Sequence, residues 1–333
     1  MNTAFFDQPE AIVIKELESF SLEILNHYPI QVKSAVSINY EYNATLKVET
    51  TDGQLFALRI NTNSPRTPEN LRAEIAFVRF LAEDGRVKVP HPIENRDGNF
   101  YTSILHETSG RMFHCVLYSW ILGEELEDEP TDEQLRALGA AMATMHLAVR
   151  GFQLPEGSSL PTFDDPLWWT EDFLLSEKSV LDAEAKDLIS RALSAIKFGV
   201  AKFFANGTPI LIHADMHGGN VLWYEDSLSV IDFDDCGLGF PLQDLATALY
   251  YLDTPEQDAA FKQGYASIAP VPECSENEMK MLFLQRRIVL LNYLYETSNL
   301  EHRSMIPEYQ EETLRRIRNF LGEEGIPVQP SIM

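Results

Sequence analysis

Basic residues are scarce. Lysines and arginines number 26 against 51 aspartates and glutamates in 333 residues, a formal net charge of −25. A field of that sign repels a nucleic-acid duplex or an anionic membrane unless a local basic patch overrides it. No cluster of Lys and Arg supplies such a patch, so no nucleic-acid or membrane partner is expected. The same excess would attract a cationic or amine-bearing small molecule, and it serves plain solubility equally well.

Cysteine is almost absent, with Cys115, Cys236 and Cys274 far apart. An odd and dispersed set excludes a disulfide framework or a cysteine zinc site and fits a reducing cytoplasm. No apolar run reaches the roughly 18 residues needed to cross a bilayer. The opening "MNTAFFDQPEAIVIKELESF" lacks the basic start and apolar stretch of a secretion signal. A cytoplasmic protein is expected. The 45% hydrophobic and 23% charged residues belong to a globular chain, long enough for one large or two ordinary domains.

Apolar residues at helical spacing over 9–28 predict a leading helix. The β-type runs "QVKSAVSI", "ATLKVETT" and "QLFALRIN" follow, with Asp52-Gly53 as a hairpin turn. A helix over "TPENLRAEIAFVRFLAEDG" has Thr67 as N-cap, Pro68 at its first position and Gly85 as terminator. "NFYTSIL" and "RMFHCVLYSWI" complete a five-stranded antiparallel set. An acidic run then spans 123–135, with Glu124, Glu125, Glu127, Asp128, Glu129, Asp132 and Glu133 and no base. Beyond it the pattern is helical, first from Thr131, which with Gln134 forms a capping-box pattern, then over 181–205, 241–252, 277–299 and 307–321. One hairpin interrupts the helices, "GNVLWY" and "LSVIDF" around "EDS". Met142, Met145 and His146 fall on an apolar helix face and are read as core.

The stretch "HADMHGGN" (213–220) carries the chemistry. His213 and His217 could supply two zinc ligands, but no convincing third stands at motif spacing. The same letters read as His-x-Asp, four residues, then Asn. The hairpin brings Asn220 at its start near Asp232 at its end, with Asp215 on the loop leading in. Hard oxygen donors of this kind suit magnesium, and a carboxylate placed to accept a hydroxyl proton completes a phosphoryl-transfer site.

"LIHADMHGGNVLWYEDSLSVIDFDDCGLGFPLQDLATALYYL" resembles the core of the aminoglycoside phosphotransferase and choline kinase superfamily, nearest its type II homoserine kinase and stress-response Ser/Thr kinase branch. The resemblance implies an α+β, protein-kinase-like two-lobe fold. Residues 1–116 would form a β-rich nucleotide-covering lobe, 117–122 a hinge and 123–333 a mainly helical catalytic lobe. It implies ATP and magnesium, with Asp215 as catalytic base and Asn220 and Asp232 as metal ligands. Asp244 would hold the catalytic-loop backbone, and His213 would be a structural residue of that loop. Arg59 stands where the family carries its phosphate-binding cation, with Glu74 as ion-pair partner. Arginine grips phosphate as a fork, unlike lysine. The loop over the phosphates, "NYEYNAT" (39–45), has no glycine. Adenine would meet the backbone near Leu117, Tyr118, Ser119 and Trp120. His217 is read as loop packing. Asp234 and Asp235 are read either as further contacts to the metal or its ligands, or as a solvated turn.

The expected activity is transfer of a phosphoryl group to a hydroxyl of a small, amine-bearing molecule. Residues 124–133 and "DDPLWWTEDF" (164–173) are candidate acceptor walls, where carboxylates with Trp168 and Trp169 could hold an ammonium. They read equally as a solvated helix start and ordinary core tryptophans. A Ser/Thr protein kinase and a nucleotide-binding regulatory module without turnover are the alternatives. The intact Asp215, Asn220 and Asp232 set argues against the second.

Overall fold

Helix α1 (Glu10–Leu25) opens the described part of the computed structural model, which is residues 5–323 apart from 7, 65, 127, 128 and 298. There follow β1 (Val32–Tyr40), β2 (Asn43–Thr50), β3 (Leu55–Asn61), α2 (Pro68–Asp84), β4 (Thr102–His106), β5 (Arg111–Ser119), β6 (Glu124–Glu125) and α3 (Asp132–Ala148). The later elements are α4 (Ala183–Asn206), β7 (Ile210–Ile212), β8 (Val221–Tyr224), β9 (Ser227–Val230), β10 (Gly237–Gly239) and α5 (Pro241–Tyr250). Helices α6 (Pro255–Ala266), α7 (Glu276–Glu296), α8 (Leu300–Ser304) and α9 (Ile306–Phe320) end the described chain. The chain divides into two units, Met1–Leu160 with Gly218–Asp234, and Pro161–His217 with Asp235–Met333.

The first unit is built on an antiparallel sheet of order β1-β2-β3-β5-β4. Strand β2 shows why it forms. Ala44, Leu46, Val48 and Thr50 alternate as buried residues and point to one face, where α1 adds Val13, Leu17, Phe20 and Ile24. Strand β3 breaks the alternation, because Arg59 is buried between Leu58 and Ile60. A buried arginine on the opposite face needs partners, and these define part of the site below. Helix α2 has the expected ends. Thr67 accepts from the Asn70 N–H, Pro68 opens the first turn, and Gly85 closes it at φ 70°.

The expected hairpin is β8–β9, turning at Glu225 and Asp226 with φ 46° and 59°, the backbone of a type I′ turn. Part of the acidic run adds to it. Glu124 and Glu125 pair with Trp223 and Leu222 as β6, making a three-stranded sheet. Gly123 permits this approach at φ 139°, since a Cβ there would meet the Trp223 carbonyl oxygen at 2.9 Å. Glu129 is exposed, as are Asp132 and Glu133 in the first turn of α3, while Glu127 and Asp128 lie outside the described residues. Met142, Met145 and His146 are buried on α3.

The second unit is helical, with a short antiparallel pair β7–β10. Helix α5 is buried along most of its length, and α7 packs against α4, α5 and α9. The sequence reading had no helix at 255–266, although Thr254 and Gln257 form its capping box and Pro255 opens its first turn. No described helix is long and apolar enough to cross a membrane.

Candidate active site

The expected site residues fall in both units: Arg59, Glu74, Tyr118, Trp120, Asn220 and Asp232 in the first, His213, Asp215 and Asp244 in the second.

In the first unit, Arg59 Nη2 donates to Glu74 Oε2 at 2.7 Å, and the Tyr118 hydroxyl donates to Glu74 Oε1 at 3.0 Å. Burial opposes the charge on Arg59, but Glu74, Tyr118 and Asp234 outweigh it and hold the guanidinium well above its ordinary pKa. Burial also raises the Glu74 carboxyl, against the pull of Arg59. The donors on both of its oxygens fit the ionised form.

Asp234 is no solvated turn. Its Oδ2 accepts from Asn43 Nδ2 at 3.0 Å and from the Ser64 hydroxyl at 3.2 Å, and its Oδ1 stands 3.9 Å from Arg59 Nη1. Arg66 Nε donates to its carbonyl oxygen at 2.9 Å. Asn43, at the end of the glycine-free loop, is thereby tied to the residue two beyond Asp232. Asn43 and Asn61 are register partners, and Arg59 lies on the same face as Asn61. Arg59 Nε, Asp234 Oδ1, Asn43 Oδ1 and Asn61 Oδ1 are all buried without a hydrogen-bond partner. The three oxygens are acceptors that a hydrated cation would satisfy, and the Arg59 Nε–H is a donor that a phosphate would satisfy.

The Asn220 carbonyl oxygen accepts from the Ile231 N–H at 3.0 Å, which sets Asp232 beside Asn220 across the hairpin. Asp232 is exposed and has φ 56°, a strained backbone for a non-glycine residue. Phe233 anchors it, packing edge-on against Phe77 with centroids 5.7 Å apart. On β5, the Leu117 carbonyl and the Ser119 N–H are already bonded to Ile93 and His91, at 2.7 and 2.8 Å. Trp120 carries Lys47 over its ring at 4.8 Å.

In the second unit, Asp244 lies fully buried in the first turn of α5. Its carboxylate accepts from the backbone N–H of His213 at 3.1 Å and of Ala214 at 2.7 Å. Ala214 sits at φ 69°, so this clasp holds a strained turn just before Asp215. The Asp215 N–H donates to His213 Nδ1 at 3.3 Å.

The Asp215 carboxylate meets a residue the sequence reading did not single out: Arg286 of α7, whose Nη2 donates to Asp215 Oδ1. Burial pushes the Asp215 carboxyl upward, but Arg286, His217 and His213 outweigh it and leave the group well below the usual aspartate range. His217 does pack in the loop, its ring 4.4 Å from that of Tyr251, and its Nε2 also stands 3.7 Å from Asp215 Oδ2. The signal for Arg286 was there in "LFLQRRIVLLNYL", where two adjacent arginines interrupt an apolar helix.

The acids of 164–173 are engaged locally. Asp164 accepts from the Trp169 indole and the Thr162 hydroxyl, Asp165 and Asp172 accept backbone N–H groups, and Glu171 pairs with Lys178. Trp168 and Trp169 both have left-handed backbones, φ 57° and 61°. Trp169 is 64% exposed, so it is not a core tryptophan. Among the described residues, no group of three or more His, Cys, Asp or Glu could hold a metal, so the zinc-hydrolase reading finds no support.

The five-stranded antiparallel sheet and the helical second unit make a kinase-like α+β fold. The model of the phosphotransferase enzyme family matches residues 40–275. The chain belongs to that family, and it is an ATP-dependent small-molecule kinase. The amicoumacin kinase of Bacillus subtilis (strain 168) is 24% identical over 296 residues, 83% of each chain. A homoserine kinase of Brucella anthropi is 25% identical over 287 residues, again 83% of each. Among solved structures, a microcompartment-associated aminopropanol kinase shares the fold at a TM-score of 0.77 and 23% identity, over 93% of this chain and 99% of that one.

Proposed function

We propose that the protein moves the γ-phosphate of ATP to a hydroxyl of a small, amine-bearing molecule, with Asp215 as the base. The acceptor hydroxyl would give its proton to the Asp215 carboxylate as its oxygen bonds to the γ-phosphorus. The bond from that phosphorus to the β-phosphate oxygen breaks, and ADP leaves. Arg59 would grip the phosphates, and its partnerless Nε–H gives it a donor to offer. Asn220 and Asp232 supply the hard oxygen donors that suit magnesium, whose charge would offset that of the phosphates. With the Leu117 carbonyl and the Ser119 and Trp120 N–H groups engaged, adenine would meet the chain from the Trp120 carbonyl onward. Residues 1–116, 117–122 and 123–333 as nucleotide-covering lobe, hinge and catalytic lobe belong to the same proposal.

The observation that carries this reading is the Asp244 clasp, which spends a buried carboxylate on fixing the backbone that presents Asp215. The amine in the acceptor rests on the net charge of −25 and on relatives named for aminopropanol and homoserine. The test is ADP release from ATP and magnesium with a panel of amino alcohols, hydroxy amino acids, sugars and Ser/Thr peptides. Turnover confined to amine-free alcohols would remove the amine from the proposal, and turnover confined to the peptides would replace a metabolite with a protein.

A further inference from the structure

Arg286 is one of two adjacent buried arginines on α7. It is 6% exposed, on a helix whose neighbouring positions, Leu284 and Ile288, are core. Its Nη2 serves two acceptors, Asp215 Oδ1 and the Tyr251 hydroxyl oxygen, the latter at 2.6 Å. The guanidinium carbon lies 5.1 Å from the Trp168 ring centroid and 5.3 Å from that of Tyr251, so two aromatic rings hold the group. Trp168 reaches its place on a left-handed backbone, a cost of roughly 1–3 kcal/mol that persists only where the surroundings enforce it. The Arg286 Nε is buried with no hydrogen-bond partner. A guanidinium used only for stability would satisfy such a donor, since leaving it bare costs about 1–3 kcal/mol. Strain at Trp168, whose ring covers the guanidinium, and an unmet donor on that guanidinium are the marks of a group fixed for something other than folding.

We infer that Arg286 is the positioning residue of the phosphoryl-transfer reaction, holding the Asp215 carboxylate in the single orientation from which it takes the acceptor proton. The inference rests on the reading of Asp215 as base. A lone aspartate side chain rotates about two bonds, and a base must sit within hydrogen-bond reach of the proton it abstracts. The bond from Arg286 to one carboxylate oxygen fixes those rotations and leaves the other oxygen facing His217. The charged and titratable groups facing Asp215 are His213 and His217 from its own loop, Tyr251 from beyond α5 and Arg286 from α7. Asp235 in turn faces Arg286. Of these, Arg286 is the one cation permanently charged at neutral pH, so its removal lets burial raise the carboxyl.

The experiment compares the parent with Arg286→Lys, Arg286→Met and Tyr251→Phe. Each is assayed for ADP release with the best acceptor of the panel above and with water alone, for ATP affinity and for thermal stability. The Asp215 carboxyl is also titrated by carbon NMR, its signal assigned by its loss in Asp215→Asn. In Arg286→Met, kcat should fall by roughly 10²-fold, the scale of a misplaced catalytic group, with ATP affinity within about twofold of the parent. The acid limb of kcat/KM and the NMR titration should both move up by about one pH unit or more. Arg286→Lys should restore the acid limb but only part of kcat, because a point charge replaces a fork. Tyr251→Phe should lower kcat less, and it decides the matter if Arg286→Met does not fold. Parent-like kcat and parent-like titration in the Met and Phe variants, whatever their melting temperatures, would overturn the inference. Undiminished turnover in Asp215→Asn would instead overturn the base assignment beneath it.

Discussion

Asp244 and Ala214 are joined by a 2.7 Å bond from backbone N–H to carboxylate, and the residue held is at φ 69°. A buried carboxylate thus stabilises a backbone conformation that alanine rarely adopts. The clasp also takes the His213 N–H, so its loss strands both donors.

Asp244→Ala should therefore destabilise the protein by about 2–4 kcal/mol, from two buried amides left without an acceptor. Asp244→Asn keeps one acceptor oxygen and should cost about half as much. Urea unfolding of the three proteins measures this. A change below about 0.5 kcal/mol for the alanine variant would mean that the bonds do not hold the turn.

Arg59→Lys should keep the charge beside Glu74 but lose the fork. ATP affinity should drop by roughly tenfold, about 1.4 kcal/mol, with only a modest loss of stability. Arg59→Ala should lose more affinity and also about 3–5 kcal/mol of stability, because Glu74 is left buried and unpaired. Calorimetric titration with a non-hydrolysable ATP analogue separates the two effects. Equal affinity in all three proteins would reassign phosphate binding to another cation, Lys47 being the nearest candidate by sequence.

Asp232→Ala should fold normally, since its side chain lies at an exposed position, and should lose metal-dependent turnover. The left-handed backbone at 232 makes Asp232→Asn the gentler control, because asparagine tolerates φ 56° better than alanine. Magnesium titration of ADP release reads the outcome. A half-saturating magnesium concentration unchanged in both variants would exclude Asp232 as a ligand.

Asp215→Asn should lower phosphoryl transfer by roughly 10²- to 10⁴-fold with nucleotide affinity nearly unchanged. It also has a signature in stability. The folded carboxyl of Asp215 lies below its unfolded value of about 3.9. Its contribution is therefore fully present above that value and is lost as pH falls through it toward the folded one. The parent's advantage over Asp215→Asn in unfolding free energy should be flat above about pH 5 and shrink below about pH 4. An advantage that grows on acidification would contradict the depressed carboxyl.

Local rules carried the sequence reading well. Helix α2 announced both of its ends through Thr67, Pro68 and Gly85, and the β8–β9 turn announced itself through "EDS". These signals lie within a few residues of what they control. The failures share the opposite property. Strand β6 is two glutamates that are extended because Trp223 and Leu222 pair with them from a hundred residues away. The ties from Asp234 to Asn43 and Ser64 span 191 and 170 residues, and the bond from Arg286 to Asp215 spans 71. Two arginines inside the apolar run "LFLQRRIVLLNYL" hint at burial, but which group each one meets is supplied by the tertiary fold. Helix α6 is different, because its capping box of Thr254 and Gln257 is as local a signal as that of α2.

The way the chain threads its two units bears on how the protein is made. The first unit is not finished at Leu160, because it also needs Gly218–Asp234, which bring β8, β9 and the Phe233 ring that packs on Phe77. A ribosome must add roughly seventy further residues before that hairpin exists, about 4–15 s at ordinary synthesis speed. During that interval β6 has no partner strand, since both of its residues pair only with β8, and Phe77 lacks one of its ring contacts. The nascent sheet with α1 has its own apolar core and can form early. The segment that carries Asn220 and Asp232 joins it only when translation is well into the second unit.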